Sequence, residues 1–237
     1  PDGKNINAHC GSTHIASLQQ FVQTTAVDLG LAFDGDGDRV LAVSADGLLI
    51  DGDFIMAILA ANLNEVVGKG IVTTVMTNLG FDLAMQRLGI KVEKTKVGDR
   101  FVLEKMLSSS YKFGGEQSGH IIALDYNSTG DGLITAILLL KAMQKAKQPL
   151  TKLAQIMQRL PQVLINVPIN GDRQVAQAPH VLAAVEAAKT KVGSNGRILV
   201  RPSGTEPVVR VMVESTSESL AQELAASICE ALKNEGS

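Results

Sequence analysis

The sequence contains no tryptophan and only 3% aromatic residues, and its 24 acidic residues nearly balance its 22 basic residues. A nucleic-acid surface usually needs a basic face and aromatic side chains on which bases stack, so the composition argues against nucleic-acid binding. The longest apolar stretches, residues 54–63 and 133–140, are interrupted or too short to span a bilayer. The first residues do not resemble a signal peptide. We therefore expect a soluble protein without a membrane role.

Cysteine is also scarce, since the chain has only Cys10 and Cys229. They lie far apart and lack the spacing of metal ligands, so we expect neither a disulfide framework nor a cysteine zinc site. This usage fits a cytoplasmic location. With 237 residues, of which 45% are hydrophobic, the chain can bury a large core and form one large domain or two to three small ones.

The spacing of apolar residues predicts an α/β protein with a change of element order near Pro161. The first part contains a helix over residues 15–22, a strand over 29–33 and a hairpin through Asp46-Gly47. The middle part alternates strands and helices, with predicted helices over 54–67, 79–88, 101–107, 132–147 and 150–159, and strands over 71–75, 92–97, 111–114 and 121–124. Such βαβ alternation predicts a mixed, largely parallel sheet covered by helices. After Pro161 the pattern predicts an α+β module with strands over 163–167, 197–200 and 208–214 and helices over 181–191 and 217–233.

The main candidate site is the acidic loop, residues 34–39, which reads Asp-Gly-Asp-Gly-Asp-Arg and follows the predicted strand over 29–33. The carboxylates of Asp34, Asp36 and Asp38 would repel one another unless a divalent cation lay between them. The intervening glycines allow the tight turn that brings these carboxylates together. Oxygen ligands alone favour Mg²⁺, Mn²⁺ or Ca²⁺ over zinc. The sequence thus predicts a site for a hard cation here.

The acidic loop has two other interpretations. A calcium loop of the EF-hand type would need Gly at its sixth position and Glu at its twelfth, where this chain has Arg39 and Ala45. An ordinary Asp/Gly-rich turn between strands stays open, because both residue types are common in turns. Three alternating carboxylates are more than such a turn needs, which favours the metal site.

Three further loops carry polar groups that could bind phosphate or hydroxyl groups. The segment Arg201-Pro-Ser-Gly-Thr-Glu-Pro207 joins two predicted strands, and its guanidinium, hydroxyl and glycine amide groups suit phosphate. Its alternative is a polar hairpin tip with solvated arginines. The segment Gly115-Glu-Gln-Ser-Gly-His120 lies at a strand end and could bind sugar hydroxyls, or it could be a simple turn. Arg100 could reach a phosphate or hydroxyl, or it could be a surface residue that follows an Asp99 cap.

In their order along the chain, these loops resemble the metal-binding, sugar-binding and phosphate-binding loops of the α-D-phosphohexomutase superfamily. Gln117 and the opening Pro-Asp-Gly-Lys-Asn-Ile-Asn resemble its phosphoglucosamine mutase branch. The resemblance implies a role for Mg²⁺ as cofactor, held by Asp34, Asp36 and Asp38. It also implies that Arg39 neutralises charge near the transferring phosphoryl group. The residues implied to bind the phosphorylated amino sugar are Arg39, Arg100, Glu116, Ser118, Arg201, Ser203, Gly204, Thr205 and Arg210.

Members of this superfamily interconvert sugar phosphates through a phosphoserine and a 1,6-bisphosphate intermediate. The phosphoserine lies in a loop similar to Thr-Ala-Ser-His-Asn-Pro, which this sequence does not contain. We therefore expect a fragment, inactive alone, that needs the missing N-terminal domains of the same protein as its partner. On this view residues 1–51 end a second domain, residues 52–160 form a third, and residues 161–237 form a fourth. The resemblance assigns no catalytic residue, general acid or general base within the chain.

The implied reaction converts glucosamine 6-phosphate to glucosamine 1-phosphate, toward UDP-N-acetylglucosamine and the bacterial cell wall. Within the same enzyme class, phosphomannomutase or phosphoglucomutase activity remains an alternative, since Gln117 alone separates these branches poorly. A different class is a non-catalytic module that binds phosphosugars and retains only the sugar and phosphate loops.

Overall fold

The structure of the chain is a computed structural model that describes residues 2–169, 173–204 and 206–234. The chain forms two compact units, Pro1–Gln158 and Arg159–Ser237. Within the described part of the chain, no helix has the length and apolar character needed to cross a membrane. The change of unit lies close to Pro161, where the sequence predicts a change of element order. The further division of the first unit at residue 51 stays a prediction.

The first unit begins with helix α1 (Ala16–Thr24), followed by strands β1 (Leu29–Phe33), β2 (Val40–Ser44) and β3 (Leu49–Ile50). These strands form an antiparallel sheet in the order β1-β2-β3. The register pairs the last residue of β1 with the first residue of β2, so the acidic loop closes this hairpin. The predicted helix, strand and hairpin of this part are confirmed.

The rest of the first unit alternates helices and strands as the sequence predicts. Its elements are α2 (Gly52–Asn62), α3 (Asn64–Val67), β4 (Gly70–Thr74), α4 (Leu79–Leu88), β5 (Lys91–Thr95), α5 (Asp99–Ser109), β6 (Phe113–Gly115), β7 (Ile121–Ala123), α6 (Gly132–Ala146) and α7 (Leu150–Leu153). The sheet order is β5-β4-β6-β7, in which β4 is parallel to β5 and β6, while β7 is antiparallel to β6. Because parallel strands end at the same edge, the segments after β4, β5 and β6 are neighbours.

Helix α2 lies at the centre of the first unit. Every residue from Gly52 to Ala60 is buried, which is typical of a helix that packs on all sides. Asp51 caps its N-terminus, since one carboxylate oxygen accepts a hydrogen bond from the Phe54 amide at 3.3 Å. The start of this helix is therefore held at a fixed place within the hydrophobic core.

Two predicted helices are shorter in the structure than in the sequence interpretation. The helix predicted over 54–67 breaks at Leu63, whose backbone leaves the helical region, and the Asn62 side chain there donates to the Ile58 carbonyl at 2.9 Å. The helix predicted over 150–159 ends as a 3₁₀ turn, Ala154–Ile156. Met157 is then extended and buries its side chain in the core, so tertiary packing overrides helix propensity there.

The second unit is an α+β module. It contains β8 (Gln162–Pro168), a 3₁₀ turn (Arg173–Gln177), α8 (Pro179–Val192), β9 (Gly196–Pro202), β10 (Val208–Ser215) and α9 (Glu218–Lys233). The strands form an antiparallel sheet in the order β8-β10-β9, and apolar residues of both helices share one core with the sheet. The predicted fold class is thereby confirmed, with a largely parallel α/β sheet in the first unit and an α+β second unit.

Candidate active site

The acidic loop brings three carboxylates together at the end of β1. One oxygen from each of Asp34, Asp36 and Asp38 lies within 4.8 Å of the others. Gly37 has a φ of 75°, a left-handed conformation that favours glycine and lets the loop turn between the last two aspartates. Oδ1 of Asp38 is buried and accepts no hydrogen bond from a described residue. An all-oxygen set with such an atom fits a hard divalent cation.

The two more buried carboxylates of this loop have opposite pKa shifts. Burial and the carboxylate of Asp34 raise the pKa of Asp38 above its ordinary value. Burial also acts to raise the pKa of Asp34, but hydrogen bonds with Asp38 and the Arg39 amide outweigh it and lower that pKa. The negative charges of carboxylates this close repel each other, and a cation between them would relieve the repulsion.

Arg39 lies against the acidic loop that it ends. Its amide donates to Asp34 Oδ1 at 3.1 Å, and its Nε is 3.8 Å from both Asp34 Oδ2 and Asp38 Oδ1. The guanidinium therefore offsets part of the negative charge. About two fifths of its side chain is exposed (43%), so it also faces solvent, where a phosphate could approach.

The candidate sugar loop, residues 115–120, connects β6 to β7. It closes through two backbone hydrogen bonds, from the Glu116 amide to the His120 carbonyl at 2.9 Å and from the Gly119 amide to the Glu116 carbonyl at 3.0 Å. Ser118 is exposed at its tip and Glu116 is partly buried. Oε1 of Glu116 accepts from the Gly98 amide at 2.9 Å. This loop is thus a turn that a hydrogen bond between Glu116 and Gly98 connects to the segment after β5.

The acidic loop and the sugar loop are in direct contact within the first unit. The Val40 amide donates to the Gly119 carbonyl at 3.3 Å, and Arg39 forms an isolated antiparallel β-bridge with His120. Nε2 of His120 lies 3.5 Å from Asp38 Oδ2. The structure therefore brings together two groups of predicted site residues that are about 80 positions apart in the sequence.

Sequence reasoning missed two residues beside these loops. It assigned no site role to His120, whose ring the structure buries beside Asp38 with 3% exposure. It gave no role to Asp53, which is fully buried and accepts from the Gln117 side chain at 3.2 Å. The available signals were the histidine that ends the Glu/Ser loop and an acidic residue in the first turn of an apolar helix.

Arg100 lies in the first turn of α5 and is not placed in either loop. Its Nε donates to Glu104 Oε1 at 2.7 Å, and 81% of its side chain is exposed. Asp99 is the first residue of this helix rather than its cap, because Gly98 holds the cap position. The predicted contact between Arg100 and substrate stays a prediction.

The candidate phosphate loop lies in the second unit, between β9 and β10. Arg201 and Arg210 are direct cross-strand partners, so their side chains leave the same face of the sheet. Two like charges in this arrangement repel each other unless anions lie nearby, and Glu206 accepts from Arg210 at 2.8 Å. An anion such as phosphate would satisfy the same need.

The turn of this phosphate loop is held by Ser203. The Ser203 amide donates to the Val208 carbonyl at 2.8 Å, and its Oγ accepts from the Glu206 amide at 3.3 Å. Gly204 is exposed, and a side chain at that position would meet open space. Thr205, also predicted to bind phosphate, lies outside the described residues.

In comparison with known proteins, each of the two units matches a domain of the same protein family. Residues 51–160 match the family described as phosphoglucomutase/phosphomannomutase, alpha/beta/alpha domain III, and residues 164–231 match its C-terminal domain. The chain is 50% identical to the phosphoglucosamine mutase of Thermobifida fusca over 99% of its length. It is 51% identical to that of Mycolicibacterium paratuberculosis over 98% of its length. The chain covers 53% of each of these relatives, so it spans about half their length.

Solved structures show the same fold. A crystal structure of Aspergillus fumigatus N-acetylphosphoglucosamine mutase in complex with GlcNAc-6P and magnesium matches 97% of the chain with a TM-score of 0.77 and 21% identity. A phosphoglucomutase/phosphomannomutase family protein from Burkholderia thailandensis matches 95% of it with a TM-score of 0.76 and 23% identity. The chain covers 53% and 50% of these two proteins. The family matches and the full-length similarity show that the chain belongs to the α-D-phosphohexomutase superfamily, of which it carries domain III and the C-terminal domain.

Proposed function

We propose that the chain is part of a phosphoglucosamine mutase, which interconverts glucosamine 6-phosphate and glucosamine 1-phosphate in the cytoplasm. The product would lead toward UDP-N-acetylglucosamine and cell-wall synthesis. The observation that carries the proposal is the direct contact between a three-carboxylate loop and the Glu/Ser turn in one unit. The chain is 50% and 51% identical in sequence to two proteins of that name over nearly its whole length. This similarity supports the phosphoglucosamine mutase branch of the superfamily.

In this proposal Asp34, Asp36 and Asp38 hold Mg²⁺, which would stabilise negative charge on the phosphoryl oxygens. Arg39 adds positive charge beside the same carboxylates. Magnesium is bound in the fungal relative whose structure matches this fold. The site thus favours phosphoryl transfer, in which the protein mainly positions the reactants and balances charge.

The remaining proposed residues bind the two ends of the substrate. Glu116 would accept hydrogen bonds from the sugar, and Ser118 would donate from its exposed position. Arg201, Ser203, Gly204, Thr205 and Arg210 would bind the phosphate that does not react, with Arg100 as a further contact. Guanidinium groups can bind phosphate oxygens in pairs, which accommodates either orientation of a 1,6-bisphosphate intermediate.

The phosphoryl donor in this proposal is a phosphoserine elsewhere in the longer protein. The relatives are about twice as long as this chain. Residues 1–51 would then complete a second domain, while residues 52–160 and 161–237 would be the third and fourth. We therefore expect the 237-residue chain to be inactive alone and the phosphoprotein with all domains to be active.

The deciding experiment is an assay of the full-length protein on the 6-phosphates of glucosamine, mannose and glucose. We expect the highest kcat/KM with glucosamine 6-phosphate. Preference for a neutral sugar would instead favour phosphomannomutase or phosphoglucomutase activity. Binding of sugar phosphates without turnover of any of them would favour a non-catalytic binding module.

Replacing one central carboxylate tests the metal site. Asp36→Asn removes charge from the acidic loop and should weaken Mg²⁺ binding of the full-length protein, measured by calorimetric titration, by about tenfold or more. Asp28→Asn is the control, because Asp28 is an exposed acid that precedes β1 and lies outside the carboxylate cluster. Equal Mg²⁺ affinity in both variants would exclude the proposed ligand set.

Replacing one arginine tests the phosphate loop. Arg201→Ala should raise KM of the full-length enzyme about 10- to 100-fold, since a hydrogen bond to a charged group contributes about 1.5–3 kcal/mol. Lys191→Ala serves as the control in the same unit, because Lys191 makes an exposed ion pair with Glu223. An unchanged KM in Arg201→Ala would contradict a phosphate contact there.

A further inference from the structure

The sugar loop rests on the N-terminus of the buried helix α2. The Gly52 amide donates to the Gln117 carbonyl at 3.0 Å. A Cβ on Gly52 would collide with the Glu116 carbonyl oxygen and would lie 2.9 Å from the Gly119 amide nitrogen. The loop backbone therefore contacts the helix start so closely that only glycine fits between them.

Beneath this contact lies the carboxylate of Asp53, in the first turn of α2. The residue is fully buried, and its Oδ2 accepts from the Gln117 side-chain amide at 3.2 Å and from the Asn78 amide at 2.9 Å. Asn78 is the N-cap of α4, so the carboxylate lies at the N-termini of two helices. Helix N-termini stabilise negative charge, which makes Asp53 a strong acceptor for the Gln117 amide.

Glu116 is held from a second direction. Its Oε1 accepts from the Gly98 amide at 2.9 Å, while Oε2 receives no hydrogen bond from a described residue. The peptide that carries Glu116 is therefore fixed by its neighbour Gln117, and its side chain is fixed by Gly98. This leaves Oε2 as the oxygen that can accept from a ligand.

We propose that Asp53 is a positioning residue for the sugar loop and acts through Gln117. The hydrogen bond between their side chains sets the place of Glu116 relative to the acidic loop. The identity of the ligand as a sugar phosphate rests on the proposed function, whereas the ordering of the loop does not. The Gln117 side-chain nitrogen is thereby engaged by Asp53.

Hydrogen exchange of the 237-residue chain tests the ordering of the loop. Asp53→Asn removes the charge, and Gln117→Met removes the donor at similar side-chain length. Each should speed exchange of the Glu116 and Gly119 amides about tenfold, which corresponds to loss of one charge-assisted hydrogen bond. Asp82→Asn is the control, because Asp82 is a first-turn acid of α4 that pairs with Lys94.

The double variant Asp53→Asn/Gln117→Met separates a shared bond from two unrelated effects. If the two side chains act together, the double variant exchanges no faster than the faster single variant. Effects that multiply would overturn the proposal, and so would exchange rates equal to those of the control. Gln117 is only partly buried, so Gln117→Met should fold. This variant tests the same hydrogen bond if Asp53→Asn fails to fold.

The full-length enzyme provides a readout that a purely structural role would not change. Both single variants should raise KM for glucosamine 6-phosphate about tenfold while Mg²⁺ affinity is unchanged. Lower thermal stability with an unchanged KM would contradict positioning of Glu116. If the unaltered enzyme does not convert glucosamine phosphates, the proposed function fails, whereas the exchange measurement still decides the role of Asp53.

Discussion

The closest backbone approach in the site gives a sharp prediction for Gly52→Ala. The added methyl group would collide with the Glu116 carbonyl oxygen and lie 3.0 Å from the Gln117 carbonyl oxygen. Both neighbours are backbone atoms, so no flexible side chain can move away to relieve the overlap. Either the sugar loop or the start of α2 has to shift by about 1 Å.

The cost of this shift can be worked out from the same contacts. Overpacking in a well-packed region costs about 1–3 kcal/mol. The hydrogen bond from the Gly52 amide to the Gln117 carbonyl, 3.0 Å long, would weaken as well, which costs up to about 1 kcal/mol more. We therefore expect the first unit to lose about 1–4 kcal/mol of unfolding free energy. A loop shift of about 1 Å can reduce kcat/KM of the full-length enzyme about 100-fold.

The matched control for Gly52→Ala is Gly89→Ala. Gly89 follows α4 with a φ of 69°, and a Cβ there would meet no atom within 4 Å. This variant introduces backbone strain of about 1–2 kcal/mol without a collision and lies away from the sugar loop. Urea unfolding followed by circular dichroism and steady-state kinetics compare both variants. If Gly52→Ala costs no more than Gly89→Ala and keeps its kcat/KM, the close contact at the site is wrong.

Two further predictions concern the second unit and the thiols. Glu214 is fully buried and accepts from Arg197 at 2.8 Å, so Glu214→Ala should destabilise the second unit by about 3–5 kcal/mol in urea unfolding. Glu223→Ala, which breaks an exposed ion pair, should cost under about 1 kcal/mol, and similar costs would refute the reasoning. Cys10 is exposed, while burial raises the pKa of the Cys229 thiol, which keeps it protonated to higher pH. At neutral pH a thiol reagent should therefore label one cysteine quickly and the second only after unfolding, and rapid labelling of both would contradict the burial of Cys229.

Local sequence signals predicted most of the fold because each one has a local physical cause. The helix over 79–88 is found as predicted, with Asn78 as its cap and Gly89 in a left-handed conformation at its end. Asp131 caps α6 through a hydrogen bond from the Ile134 amide at 2.9 Å, a local signal that precedes the helix in the sequence.

The errors lie where packing competes with local preference. The helical spacing of apolar residues continues past Leu63 to Val66 and Val67, yet the backbone leaves the helical region at Leu63, and both valines enter the core. Near residue 157 the helical pattern likewise continues in the sequence, but Met157 reaches the core from an extended backbone. Periodicity cannot distinguish these cases, because it does not record which neighbour each side chain meets.

The sequence by itself determined the acidic loop as a set of three closely spaced carboxylates, because the glycines between the aspartates allow a tight turn. It also determined the order of strands and helices, because apolar period and capping residues act over a few positions. Only the tertiary structure decided that the sugar loop lies against the acidic loop, with His120 beside Asp38. It alone revealed that Asp53 supports Gln117, because these residues are 64 positions apart and meet only where a helix start and a strand end converge.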